Sequence, residues 1–306
     1  MMKIFGHKNP DTDTITSAIV LADLQNKLQN PSTAYRLGEI NKETAFVLDY
    51  FNMTAPELLT SVESDENVIL VDHNEFSQSV DGIEKTSVYM VVDHHRVSGF
   101  SSSMPLWFRV EPVGCTATIL YKMYKEFNIE IKPEIAGLML SAITSDTLGF
   151  KSPTCTEIDK EVCLKLAEIA NVDYESYSIE MLKAGTDLSD LTVEQMLSID
   201  AKEFSLGNFV AEIAQISTVD IPGVMSRKTE LEDKMHEIIN QKSLDLFVCV
   251  ITDVMNSDSQ VIALGNQCSL VDQAFNVKLE ENTAFLPGVV SRKKQIVPPL
   301  EKCCQL

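Results

Sequence analysis

Two stretches, Val68-Ile69-Leu70-Val71 and Val88 to Val92, are apolar without alternation and rich in β-branched residues. Such runs suit strands covered on both faces, the condition of a parallel sheet. Around them the pattern changes to a helical period. Ile15, Ala18, Ile19 and Ala22 follow Asp13 at that spacing, and Ile119, Leu120, Met123, Tyr124 and Phe127 follow Gly114. Lys3-Ile4-Phe5 reads as an opening strand. Pro133 suits the first turn of a helix running through Ile135 to Ile143. Thr154 and Glu157 are expected to form a capping box ahead of Ile158, Val162 and Leu166. Strands alternating with helices imply βαβ units, and hence an α/β domain with a doubly wound, mainly parallel sheet.

The pattern breaks near residue 185. Gly185-Thr186-Asp187-Leu188-Ser189-Asp190 is polar and aperiodic, which marks a linker. Beyond it, Asp200 to Phe204 and Phe209 to Ile216 flank Ser205-Leu206-Gly207-Asn208 and predict a hairpin. Pro222 is expected to open one long helix through about Asn240, followed by strands at Leu246 to Ile251 and Val261 to Leu264. A chain of 306 residues exceeds the usual size of one core. The expected organisation is a first domain over 1–186, a linker or hinge over 187–192, and a smaller α/β domain with a mixed sheet over 193–306.

Charge narrows the function classes. A formal charge of −20 argues against a general nucleic-acid binder, because phosphate backbones attract basic surfaces. An anionic substrate would need a locally positive pocket. The longest apolar stretch, Ile135 to Ile143, is far shorter than the ~20 residues a spanning helix needs, so no membrane segment is expected. Seven cysteines, an odd number without a CxxC pair, mostly sit inside apolar or helical patterns, and no secretory signal is expected from the residues seen. A reducing cytoplasm fits these features.

The predicted strands end on acids and imidazoles. His7, Asp11 and Asp13 form H-x₃-D-x-D after the first strand; Asp72-His73 and Asp93-His94-His95 follow the two apolar runs; Asp146 follows a helix. Sites in open α/β sheets form beyond the carboxyl ends of strands. Buried carboxylates without partners cost several kcal/mol, so such a cluster calls for cations. Carboxylates mixed with imidazole suit Mn²⁺ or a related divalent ion better than thiolate-loving metals. Asp11 and Asp13 lie at a helix start, where the dipole favours negative charge. His94 and His95 are expected to point to opposite sides if the strand continues through them.

With these motifs the chain resembles the DHH phosphoesterase superfamily, and within it the family II, manganese-dependent inorganic pyrophosphatases. Glu111-Pro112-Val113-Gly114, Lys151-Ser152-Pro153-Thr154 and Ser291-Arg292-Lys293-Lys294-Gln295 also resemble that family, so the likeness covers nearly the whole chain. The resemblance implies two adjacent metal sites holding two Mn²⁺ or Co²⁺. One would use His7, Asp11, Asp72 and Asp146; the other would use Asp13, Asp72, His94 and Asp146, with Asp72 and Asp146 bridging. It implies His73 and Asp93 behind the ligands, orienting them. Lys202, Arg292 and Lys293 would bind phosphate, and His95 would bind and protonate the leaving phosphate. A homodimer made through the N-terminal domain is implied as well.

The expected reaction is hydrolysis of pyrophosphate to two orthophosphates by a metal-bridged hydroxide. Further Mg²⁺ would enter with the substrate, and the domains would close on it. Two other readings stay open at this point. Another DHH phosphoesterase would cleave short oligonucleotides or cyclic dinucleotides, but would be expected to carry a GGGH-like motif, which the sequence lacks. A non-catalytic metal- or phosphate-binding protein would need the ligands but not His95 or three cations from a second domain.

Overall fold

The computed structural model describes residues 1–64 and 66–304. The chain divides into two compact units, Met1–Gly185 and Thr186–Leu306.

In the first unit six strands form one sheet: β1 (Met2–Phe5), β2 (Ser32–Arg36), β3 (Glu57–Leu58), β4 (Asn67–Val71), β5 (Ser87–Asp93) and β6 (Trp107–Val110). Their order is β3-β2-β1-β4-β5-β6, and every neighbouring pair is parallel. The order reverses direction between β1 and β4, which is the topological switch point of a doubly wound sheet. Helices α1 (Thr12–Lys27), α3 (Thr116–Glu126) and α4 (Pro133–Asp146) pack together on one side, α1 against β1, β2 and β4. The opposite face buries Phe5, Val68, Leu70 and Val91 under Val62, Val80 and Ile83. The connection from β4 to β5 therefore covers the second face with 3₁₀ turns, at Phe76–Gln78 and Ile83–Lys85, instead of a helix. Helix α2 (Lys42–Tyr50) packs on α6 (Tyr174–Gly185), and α5 (Glu157–Ala170) packs on α4.

Local chemistry sets the helix ends. Asp11 caps α1 by accepting the Thr14 N–H, and Pro133 opens α4 at its first turn. The capping box of α5 is Thr156 with Asp159, two residues beyond the expected Thr154 and Glu157. Asp159 decides the difference: fully buried, it accepts the Thr156 N–H and hydroxyl together with the Gly114 N–H and the Thr118 hydroxyl. Only a position facing inward can serve both elements, and Glu157 is exposed.

The second unit holds β7 (Ala201–Leu206), β8 (Phe209–Thr218), β9 (Leu246–Asp253), β10 (Asp258–Leu264) and β11 (Thr283–Leu286) in the order β11-β10-β9-β8-β7. Strands β8 and β9 are parallel and the other pairs antiparallel, a mixed sheet. The central strand β9 is apolar at nearly every position because both faces are covered. Leu246, Val248 and Val250 enter one core with residues of α10 (Ser269–Phe275) and α11 (Val297–Cys303). Phe247, Cys249 and Ile251 enter the other with residues of α7 (Val193–Ser198), α8 (Ile221–Met225) and α9 (Lys228–Lys242). The single helix expected after Pro222 is thus two, broken at Ser226-Arg227. Arg227 leaves helical geometry, and its guanidinium donates to the Leu191 carbonyl and to Glu230. No helix among the described residues is long and apolar enough to cross a membrane.

Candidate metal centre

The switch point sets the site. His7 follows β1, Asp72 follows β4 and His94 follows β5, so three adjacent strand ends deliver one ligand each. Asp11 and Asp13 come from the start of α1 and Asp146 from the end of α4, which packs beside α1. All six predicted ligands are brought together. The donor atoms of His7, Asp11 and Asp72 lie within 4.8 Å of one another, as do those of Asp13, Asp72, His94 and Asp146. A third such group, Asp72 with His94 and His95, overlaps the second.

Asp72 is the hinge of the arrangement. Its two oxygens are divided: His7 Nε2 stands 3.4 Å from Oδ2 and His94 Nε2 stands 3.4 Å from Oδ1. His7 Nε2 is also 3.5 Å from Asp11, and His94 Nε2 is 3.6 Å from Asp146. These gaps are long for N–H···O hydrogen bonds, which centre near ~2.9–3.0 Å. His94 Nδ1 donates to the Val113 carbonyl at 3.1 Å, which turns Nε2 toward the acids as the ring atom that loses its proton when a cation binds.

The backbone is bent to achieve this. Asp72 has φ of +57°, in the left-handed region, where a non-glycine residue costs roughly 1–2 kcal/mol. Its N–H still bonds Val92 as if β4 continued, while its carboxylate turns into the site. Gly6 makes room for the partner of that carboxylate: a Cβ there would come within 2.4 Å of Thr14 Cγ2, and Thr14 donates its hydroxyl to Asp72 Oδ2 at 2.6 Å. Thr116, at the start of α3, gives its N–H to Asp13 at 2.8 Å and its hydroxyl to Asp72 Oδ1 at 3.2 Å. Ser17 holds the other oxygen of Asp13 at 2.6 Å. Sequence reasoning missed Thr14, Thr116 and Ser17. Their signal was hydroxyls clustered at two helix starts, a pattern too common to single out.

The protonation pattern shows what the cluster lacks. Burial, with the charge of Asp72, raises Asp13 to about 7, and burial with Asp13 and Asp72 drives Asp146 well above the carboxylate range. Burial alone would lower His7 and His94, but Asp11 and Asp72 lift His7 to about 10, while Asp72 and Asp13 lift His94 to about 9. Burial would raise Asp72, yet the two imidazoles beside it hold it below its ordinary value. Asp13 and Asp146 thus hold on to their protons, and so do the His7 and His94 imidazoles beside ionised Asp72. Divalent cations would replace those protons, and the donor set fits hard or borderline ions.

The remaining predicted residues differ in setting. His95 does not face away from His94. The strand ends at Asp93, the alternation ends with it, and the two rings stand 4.2 Å apart, both beside Asp72. Asp93 is fully buried; it accepts the His95 N–H at 3.0 Å and an Asn74 amide N–H at 2.6 Å, and its Oδ1 lies 2.9 Å from His95 Nδ1. His73 donates Nδ1–H to Val71, and its Nε2 is buried without a partner. In the second unit Lys202 and Lys293 are exposed, whereas Arg292 is buried. The Arg292 guanidinium donates to the Asp200 carboxylate at 2.7 Å, to the Ile213 carbonyl at 3.2 Å and to the Asp200 carbonyl. Ile213 is the cross-strand neighbour of Lys202, so Arg292 docks where Lys202 emerges. Arg292 also opens the π-helical turn Arg292–Ile296, a form frequent at functional sites.

Comparison with known proteins places this geometry in a lineage. The DHH family N-terminal domain matches residues 2–143, and the DHHA2 domain matches residues 179–303. The manganese-dependent inorganic pyrophosphatase of Bacillus subtilis is 57% identical over 298 residues, covering 97% of this chain and 96% of that protein. The chain belongs to the manganese-dependent inorganic pyrophosphatase family. A Staphylococcus saprophyticus protein provisionally given the same name is 59% identical over 97% of this chain and 96% of its own length. Among solved structures, a Methanococcus jannaschii chain assigned to the family II inorganic pyrophosphatases covers this chain completely, and is itself completely covered, at 42% identity and a TM-score of 0.62. An exopolyphosphatase-related protein from Bacteroides fragilis, 13% identical with a TM-score of 0.52, covers 99% of this chain and 91% of its own and shares the fold. The fold and lineage expected from the motifs are those found.

Proposed function

We propose that the chain hydrolyses inorganic pyrophosphate to two orthophosphates with two Mn²⁺ or Co²⁺ ions. The observation that carries this is the divided Asp72 carboxylate, with one imidazole on each oxygen and three more acids around it, in a chain of this family. His7, Asp11, Asp72 and Asp146 would hold one ion, and Asp13, Asp72, His94 and Asp146 would hold the other. When bound, the pair supplies Lewis acidity and lowers the pKa of a coordinated water toward neutrality.

The protein's own groups do the rest. Thr14 and Thr116 fix the pose of Asp72, and Thr116 that of Asp13. The hydrogen bond with Asp93 raises the pKa of His95, against the opposing effect of burial, which favours its role as the proton donor to the leaving phosphate. His73 and Asp93 act from behind the ligands. Lys202, Arg292 and Lys293 take the phosphoryl charge, together with Mg²⁺ entering with substrate. Arg292 spends three of its five N–H donors on Asp200 and Ile213 and keeps two, pre-oriented, for a phosphate. The domain organisation assigned to these roles is 1–186 for the metals, 187–192 for the hinge and 193–306 for the phosphate.

The test is phosphate release from pyrophosphate by metal-stripped protein given Mn²⁺, Co²⁺ or Mg²⁺, run beside a dinucleotide substrate. Faster turnover of the dinucleotide rejects the assignment. His95→Gln should lower kcat by about 10²-fold or more while both metals stay bound, the loss expected for a general acid. Loss of metal in that variant would make His95 a ligand instead.

The same reading includes a homodimer through the first unit. Strand β6 stands at the end of its sheet, with Trp107 64% and Phe108 38% exposed beside Tyr89 at 41%. An open edge bearing aromatics is a pairing surface, and a twofold contact would cover it in both copies. Trp107→Glu should convert the dimer to monomer in analytical ultracentrifugation; a monomeric wild type would end the idea. Seven free cysteines support a reducing, cytoplasmic setting, and a charge of −20 supports a small anion held locally rather than nucleic acid as the partner.

A further inference from the structure

The acids of the metal centre alternate with hydroxyls. Thr12 lies between Asp11 and Asp13 at the start of α1, and Ser145 precedes Asp146 at the end of α4. One oxygen joins them. Glu43 Oε1, from α2, accepts the Thr12 hydroxyl at 2.6 Å and the Ser145 hydroxyl at 2.5 Å. Thr44, the next residue on α2, places its own hydroxyl 3.2 Å from Thr12. The two helix ends that carry three of the four acids are therefore tied through a third helix.

The second oxygen of Glu43 meets Gly185, the last residue of the first unit. A Cβ on Gly185 would stand 2.9 Å from Glu43 Oε2 and 3.0 Å from Glu43 Cβ. The backbone there is helical, so conformation does not demand glycine; the Glu43 side chain occupies the space.

We infer that Glu43 is a positioning residue that sets the distance between Asp13 and Asp146, and that Gly185 is glycine to leave room for this clamp. The inference rests on reading these acids as metal ligands. Its logic is geometric. Ligands on two separate helices hold a cation only while their spacing is fixed, and hydrogen bonds to a carboxylate fix it more firmly than neutral ones. The glutamine amide keeps an oxygen at the same place, whereas alanine leaves both hydroxyls without their acceptor.

The test is titration of metal-stripped protein with Mn²⁺, reading free Mn²⁺ by electron paramagnetic resonance. Glu43→Ala should weaken binding roughly 10- to 100-fold, the range typical for groups that support metal ligands. Glu43→Gln should recover most of that loss. Gly185→Ala, by pushing the carboxylate aside, should show part of it. Added Mn²⁺ should restore turnover in Glu43→Ala, which an unfolded fraction would not permit. Ser145→Ala and Thr12→Val remove the donors instead of the acceptor and should reproduce the effect if Glu43→Ala does not fold. Wild-type affinity in Glu43→Ala overturns the inference, and so does a Glu43→Gln variant as weak as the alanine. A wild type that takes up no Mn²⁺ overturns the metal reading and this inference with it.

Discussion

Asp72→Asn should abolish both metal positions at once. At a Mn²⁺ concentration that saturates the wild type with two ions, the variant should hold fewer than one, and kcat should fall on the order of 10³-fold or more. The size follows from geometry. Each imidazole, His7 and His94, uses a different oxygen of this carboxylate, so no other ligand serves both groups equally. Asparagine keeps the volume and one oxygen but loses the charge, and its amide nitrogen cannot bind a cation. The hydroxyls of Thr14 and Thr116, which now donate to the two oxygens, would find only one acceptor. An orphaned donor in a site this buried costs about 1–3 kcal/mol, so the variant should also melt at lower temperature. Inductively coupled plasma analysis after gel filtration counts the ions, and a phosphate-release assay gives kcat. Two tightly held ions in Asp72→Asn would remove the bridging role.

The second large effect is a reversal of pH dependence on metal removal. In the chelated protein His7 is raised to about 10 and His94 to about 9, each from near 6.5; burial opposes both shifts and neighbouring carboxylates override it. A raised histidine contributes stability fully below its unfolded pKa and loses it as pH climbs through the folded value. Asp13, raised by burial to about 7, has the same sign: its proton favours the folded state and is lost as pH rises. Asp72 runs the other way, but its stabilisation is complete above the ordinary carboxylate pKa and does not change in this window. Between pH 6 and 9 the chelated protein should therefore lose stability steadily, by roughly a few kcal/mol, since one pKa unit is about 1.4 kcal/mol. With Mn²⁺ present the protons are displaced, binding tightens as pH rises, and the gain in melting temperature from added metal should grow across the same range. Differential scanning fluorimetry in chelator and in Mn²⁺ at four pH values measures both. His94→Gln should flatten the chelated profile; a profile that rises with pH in the chelated wild type would contradict the assignment.

Much of this was legible in the residues. The unalternating runs before Asp72 and Asp93 required strands covered on both faces; β4 is buried from Val68 to Val71 and β5 from Met90 to Asp93, while Tyr89 of the second run stays exposed. Aspartates after an apolar run, and the pair Asp11 and Asp13 at the start of a helix, marked where ligands could gather. Errors arose where a local signal met a competing partner elsewhere. Thr154 and Glu157 have capping chemistry, yet Asp159 took the cap because it also reaches Gly114. Pro222 can start a helix, but nothing in its own neighbourhood announces that Arg227 will break that helix to reach Leu191. His94 and His95 would diverge on a continuing strand, but the last register contact of β5 is Asp93.

By itself the sequence determined the alternation of buried strands and helices, the identity of the six acids and imidazoles, and their placement at element ends, because periodicity and composition are local properties. It could not show that Asp72 turns left-handed and divides its oxygens between two imidazoles. Nor could it show that Thr116, 103 residues away, holds Asp13, or that Arg292 docks on Asp200. Those outcomes depend on which strands become neighbours at the switch point and which helix ends then meet. Hydrogen-bond partners distant in the chain are chosen only once the core has brought them within reach.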